Sequence, residues 1–157
     1  MNAYTQQYQQ NQILSASPEQ ILVMLYDGAI RFVRQAVAGI ENNDLTAKLE
    51  GISRCMAIIT EFANTLDHEI GGEIAENLDG LYSFMIRELT QANLKNDVDK
   101  LRVVEGLLLD LRETWVSAIE VARNEVAASD SAAADAAEPT PTQTKMPPNY
   151  KPLSAAG

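Results

Sequence analysis

Few side chains in this sequence are of a type and spacing that could carry chemistry. There is one histidine, His68, and one cysteine, Cys55, in 157 residues. A di-metal carboxylate site in a helical bundle takes Glu-x-x-His pairs from two helices. Thr65 stands three residues before His68, so even one such pair is missing. His68 falls in a predicted loop rather than on the exposed middle of a helix, where a phosphorelay histidine would sit, and it reads as a surface residue. Cys55 has no histidine near it in the pattern to generate a thiolate, and reads as a small buried apolar group. Gly71-Gly72 lacks the Lys-Ser/Thr of a phosphate loop and follows a helix rather than a strand, so it reads as a helix stop. The acidic residues fall where solvent-facing positions are expected. The sequence points to no enzyme, no metal, no cofactor and no small-molecule substrate.

Composition limits the partners. Twelve Lys and Arg stand against 22 Asp and Glu, a formal charge of −10. No cationic excess is available to neutralise nucleic-acid phosphates or an anionic lipid surface. A basic or apolar protein partner fits better. A lone cysteine makes no internal disulfide, and no targeting segment is recognisable. Together these read as a reducing, cytoplasmic setting.

The elements that must position any site are helical. Five of the six prolines lie after residue 138, and none lies between Pro18 and Val126, which permits long unbroken helices. Ser17-Pro18-Glu19-Gln20 reads as a capping box opening a helix that runs to about Ile40. Asp44 caps a second helix, on which Leu45, Leu49, Ile52, Met56, Ile59, Ala63 and Leu66 form one seam ending near Asp67. A loop through Gly71-Gly72 precedes a third helix with Ile74, Leu78, Leu81, Met85, Leu89 and Ala92. After a break at 93–97, a fourth carries Leu101, Val104, Leu108, Leu111, Trp115, Ala118 and Ala122. Short loops make neighbours antiparallel, so the expected fold is an all-α, up-down four-helix bundle spanning residues 18–126. Residues 127–157, rich in alanine and proline, are expected to be a disordered tail.

The helices carry more apolar residues than one seam needs. Helix 1 has a main row at Ile21, Leu25, Phe32 and Ala36, and a second at Val23, Tyr26, Ile30, Val33 and Val37. Helix 2 adds Cys55, Ile58 and Phe62. Helix 4 adds Val103, Leu107 and Val121 on one flank and Val98, Leu109 and Val116 on the other. These are either the edges of a wide core, a homodimer interface, or a groove for another helix. On the groove reading its lining is Val23, Tyr26, Ile30, Val37, Ile58, Phe62, Val103, Leu107 and Val121.

Several stretches together resemble one family: Ala-Ser-Pro-Glu-Gln-Ile-Leu-Val-Met-Leu-Tyr-Asp-Gly-Ala-Ile at 16–30, Gly-Gly-Glu-Ile-Ala-Glu-Asn-Leu at 71–78, Leu-Tyr-Ser-Phe-Met-Ile-Arg at 81–87, Gln-Ala-Asn-Leu-Lys-Asn-Asp at 91–97 and Val-Glu-Gly-Leu-Leu at 104–108, followed by Trp115. Over roughly residues 3 to 120 the chain resembles the flagellar secretion chaperones, FliS. The resemblance implies an antiparallel bundle that binds the C-terminal segment of flagellin in the cytoplasm, prevents premature polymerisation, and presents the complex to the export-gate membrane protein of the flagellar type III apparatus. It also implies a role for the opening MNAYTQQYQQNQILSASP, an uncharged stretch with five glutamines. As a strap or lid over residues 1–17 it would cover part of the client site and help dock the loaded chaperone. Tyr4 or Tyr8 would be its docking tyrosine, and Ile13 and Leu14 its apolar plug. The alternative to a chaperone is a homodimeric helical adaptor without a flagellin client.

Overall fold

A computed structural model describes residues 3, 6 and 16–137; Tyr4, Tyr8, Ile13 and Leu14 therefore lie outside the described residues. Four helices follow one another: α1 (Pro18–Glu41), α2 (Leu45–Asn64), α3 (His68–Lys95) and α4 (Val98–Ala137), with no strand among the described residues. The fold is the expected all-α four-helix bundle.

Each start has a local cause. Ser17 Oγ accepts from the Gln20 backbone N–H at 3.2 Å while the Ser17 N–H donates to Gln20 Oε1 at 3.0 Å, a complete capping box with Pro18 in the first turn. Asp44 caps α2 through the Ala47 N–H, and Asp67 caps α3 through the Glu69 and Ile70 N–H groups. Asp97 does the same for α4 through Asp99 and Lys100. These carboxylates satisfy orphan amides and sit at the positive end of each helix dipole. Asn43 and Asn96 close the turns with φ of 55° and 50°. Asparagine tolerates that left-handed region better than most residues do.

Two boundaries differ from the sequence reading. The helical assignment of α3 begins at His68 rather than after the glycine pair, and Gly72, with φ 49° and ψ −123°, kinks it instead of ending it. That conformation is open to glycine and strained for other residues. The alanine-rich stretch expected to be disordered from residue 127 is helical as far as Ala137, since alanine is the strongest helix former.

The chain divides into two compact units, residues 1–120 and 121–157. In the second, the described residues are helical and every side chain from 121 to 136 is exposed, including Val121 and Val126. In the first, cross-links fix the arrangement. Arg34 pairs with Glu105 and Asp27 with Arg112, so α1 and α4 run antiparallel. Lys48 at the start of α2 meets Asn93 near the end of α3, and Lys100 early in α4 meets Glu88 on α3. The α1–α2 crossing is tight at Gly51, where a Cβ would lie 2.5 Å from the Phe32 carbonyl oxygen and 2.7 Å from the Ala36 nitrogen.

The core draws on Tyr26, Ile30, Val33 and Val37 of α1, Ile52, Cys55, Ile59 and Phe62 of α2, Tyr82, Met85 and Leu89 of α3, and Leu101, Val104 and Leu108 of α4. On α1 the row expected to be secondary is thus the principal core row. Ile21, Leu25 and Phe32, expected to be the main seam, are only half-buried. On α2 the buried line is Ile52–Cys55–Ile59–Phe62, and Leu45 and Leu49 at the head of the expected seam are exposed.

Candidate functional site

A polar knot lies inside the apolar core. The Tyr26 ring stacks on Phe62 with centroids 4.4 Å apart, and Phe62 meets Tyr82 at 5.8 Å. The Tyr26 and Tyr82 hydroxyls are 3.1 Å apart, and Trp115 Nε1 donates to Tyr26 Oη at 3.2 Å. One phenol oxygen thereby joins α1, α3 and α4. Burial pushes both phenol pKa values above their ordinary 10.0. For Tyr26, hydrogen bonds from Tyr82 and Trp115 offset part of the rise. Cys55 is fully buried, and burial pushes its thiol up to about 12, so it holds its proton at neutral pH. His68 opens α3 and is exposed, as expected of a surface residue.

Tyr26, Ile30, Val37 and Phe62 were expected to line a guest groove, yet each is at most 4% exposed and belongs to the core. Of the three readings open for the second rows, core, dimer interface or groove, these four residues take the first and face the bundle interior. Val23, Ile58 and Leu107 are half-buried at the edge of the core. Val103 is 46% exposed, and Val121 is exposed in the second unit. The nine residues are therefore not one surface.

Other large apolar side chains are also exposed, and Ile70, Leu94, Ile74 and Leu45 are more open than any of these. Ile70 is 87% exposed and Ile74 71% exposed on either side of the Gly72 kink, among Glu69, Glu73 and Glu76. Leu45, Leu49, Leu94, Met24 and Leu109 are exposed on the remaining helix surfaces. The expected seams had placed Leu45, Leu49 and Ile74 inside.

The α1–α4 seam is held by charge. Glu105 accepts from Arg34 Nε at 2.6 Å and from Arg102 Nη1 at 3.0 Å. Burial alone would raise the Glu105 pKa, but the hydrogen bonds and charges of the two arginines outweigh it and hold the carboxyl below its ordinary 4.5. Asp27, Ile30, Arg31, Arg34, Leu109 and Arg112 line a cleft of about 440 Å³ at this seam.

Two residues escaped the sequence reading. Tyr82 follows the seam residue Leu81 by one position, and its hydroxyl partner is 56 residues away in sequence. Lys48, 7% exposed, extends the buried α2 line in steps of four and three (48, 52, 55, 59, 62), a periodicity that the lysine's charge concealed.

The fold is an all-α helical bundle with a closed core and large apolar side chains exposed on several helices. Among the described residues no helix is long and apolar enough to cross a membrane. The family model described as "Flagellar protein FliS" matches residues 1–122. The chain is 40% identical over 124 residues to the flagellar secretion chaperone FliS of Bacillus subtilis, covering 79% of this chain and 91% of that one. To the Salmonella typhimurium FliS it is 44% identical over 116 residues, covering 73% and 86%. A solved structure described as a flagellar chaperone from bacteria superposes with a TM-score of 0.61 over 74% of this chain and 95% of that one, at 21% identity, which supports the fold. The chain belongs to the FliS family of flagellar secretion chaperones, with a role in flagellar export, and is not an enzyme.

Proposed function

We propose that this protein is a cytoplasmic export chaperone that binds the C-terminal segment of flagellin, keeps subunits from polymerising early, and delivers them to the membrane protein of the flagellar export gate. The observation that carries the reading is the set of large apolar side chains left open on a bundle whose own core is closed, in a chain of the FliS family. Of the residues expected at a groove, Val23, Ile58, Val103 and Leu107 remain as candidates for client contact in the first unit, joined by the exposed Leu109, and Val121 remains as a separate candidate in the second. Tyr26, Ile30, Val37 and Phe62 would support them from inside.

A segment that orders on binding spends ~2–5 kcal/mol of the interaction on that ordering. Apolar burial at ~25 cal/mol/Å² over several hundred Å² offsets it. Residues 1–17 would act as the lid, and their lack of charge suits a weak intramolecular competitor for apolar surface.

The test is co-purification with full-length flagellin and with flagellin lacking its terminal ~40 residues, the kind of segment that folds on binding. The expected result is a 1:1 complex by light scattering with the first and none with the second. Equal capture of both, or a stable dimer of this chain that ignores flagellin, would overturn the reading.

A further inference from the structure

Lys48 is a buried cation with no anion beside it among the described residues. It is 7% exposed, and its ammonium donates to the Asn93 carbonyl oxygen at 3.1 Å and to Asn96 Oδ1 at 2.7 Å. Both acceptors are neutral. None of the ion pairs among the described residues includes it. An ammonium has three N–H donors, so one has no protein acceptor among the described residues. Taking such a charge out of water costs several kcal/mol unless a countercharge meets it. The C-terminal end of α3, which Lys48 caps, supplies only a partial negative charge.

A cavity of about 300 Å³ opens beside it, lined by Gly39, Ile40, Asn43, Leu45, Lys48 and Asn96. On a chain of net charge −10, this lining holds one cation, two amides, two aliphatic side chains and no carboxylate. Its walls are fixed. A Cβ at Gly39 would fall 2.4 Å from the Lys48 backbone nitrogen and 2.9 Å from the Asp44 carbonyl oxygen, so α1 and the start of α2 lie in backbone contact there. Leu45 is 63% exposed at the α2 start, apolar surface that an occupant would cover.

We propose that Lys48 and this cavity form a carboxylate-binding site suited to the end of a peptide chain, with the carboxylate on the Lys48 ammonium and the side-chain amides of Asn43 and Asn96, and an apolar last side chain against Ile40 and Leu45. The cavity is at the small end of ligand pockets, the right scale for one terminal residue. The site stands apart from the proposed flagellin-contact residues and does not depend on that reading.

The probes are N-acetyl-leucine, N-acetyl-leucinamide, and N-acetyl-glutamate α-amide, whose only carboxylate is on its side chain. Each is titrated into the full chain while the Asn43 and Asn96 side-chain amide signals are followed by NMR. N-acetyl-leucine is expected to shift both signals and the leucinamide neither. Lys48→Met keeps the stem and removes the charge. It should weaken N-acetyl-leucine at least ~10-fold, as loss of a charge-assisted hydrogen bond does. Leu45→Asp, at an exposed position, sets a carboxylate at the cavity mouth and should abolish the shift with the helical circular dichroism unchanged. It carries the test if Lys48→Met fails to fold. A response to the glutamate amide in place of N-acetyl-leucine would keep the carboxylate site and reassign its source to an acidic side chain. Equal responses to acid and leucinamide, or none to any probe, would overturn the site and leave Lys48 as a helix cap alone.

Discussion

Tyr26→Phe separates a core role for Tyr26 from a client-contact role. The substitution keeps the ring stacked on Phe62 and removes only the oxygen. That oxygen serves two partners, the Tyr82 hydroxyl at 3.1 Å and Trp115 Nε1 at 3.2 Å. Tyr82 is 3% exposed, so its hydroxyl has no water to turn to, and an orphaned buried polar group costs ~1–3 kcal/mol. Tyr82→Phe is milder, because Tyr26 keeps its bond from Trp115. The expected loss is about 0.5–1.5 kcal/mol, the net value of one hydrogen bond. The double variant leaves no hydroxyl stranded and should lose less than the sum, a coupling of about 1 kcal/mol for a shared pair. For a bundle of this size each kcal/mol moves the Tm by roughly 3–5 °C, between the values for smaller and larger domains.

The assay is thermal and urea unfolding followed through Trp115, the single tryptophan, with flagellin C-terminal peptide binding measured in parallel. Core placement requires Tyr26→Phe to lower stability while peptide affinity below the transition stays within twofold. A variant as stable as the parent that loses the peptide would place Tyr26 on the client surface and refute its place in the knot.

Three further outcomes follow from the packing and charges. Gly51→Ala should cost roughly 3 kcal/mol or more in chemical unfolding, because its Cβ meets α1 backbone that cannot yield, whereas Gly80→Ala, exposed in α3 with nothing within 4 Å, should gain ~0.5–1 kcal/mol. Cys55, with a pKa pushed up to about 12, should react with a thiol reagent at pH 8 only at the rate at which the bundle opens, and at once in denaturant. Because Glu105 has its folded pKa held below 4.5, the stability it contributes is present above that value and is lost as pH falls through the folded pKa, so acid titration of Glu105→Gln should show a shallower decline than that of the parent chain.

Two helix starts, those of α1 and α2, were legible in the sequence because they depend on neighbours. Ser17 with Gln20, and Asp44 with Ala47, act over three residues. The α4 seam was legible too, since Leu101, Val104 and Leu108 face one way in an unambiguous period and all three are buried. On α1 the period was equally clear but double. Two rows of similar hydrophobicity gave no local reason to choose, and the choice was made by α2, which approaches so closely at Gly51 that only small groups such as Ala36 fit between the backbones. Nothing within α1 encodes that approach. The same holds for the Tyr26–Tyr82 pair, which two separate seams bring together.

Exposure of apolar residues was the least legible feature, and it bears most on function. Ile74 and Leu45 keep the heptad step of the seams they head, yet Ile74 is exposed beside the buried Ala75, and Leu45 is exposed three residues before the buried Lys48. A period of 3.6 states which residues share a face, not whether anything stands opposite. Where two helices overlap, such a face becomes core; where one outruns the other, it becomes an open apolar surface available to a partner. In this bundle the open apolar surface around Ile70 and Ile74 flanks the Gly72 kink. Shortening α3 by removing the turn before Gly72, with Ile70, would change what the surface can bind while leaving the core residues Tyr82, Met85 and Leu89 in place.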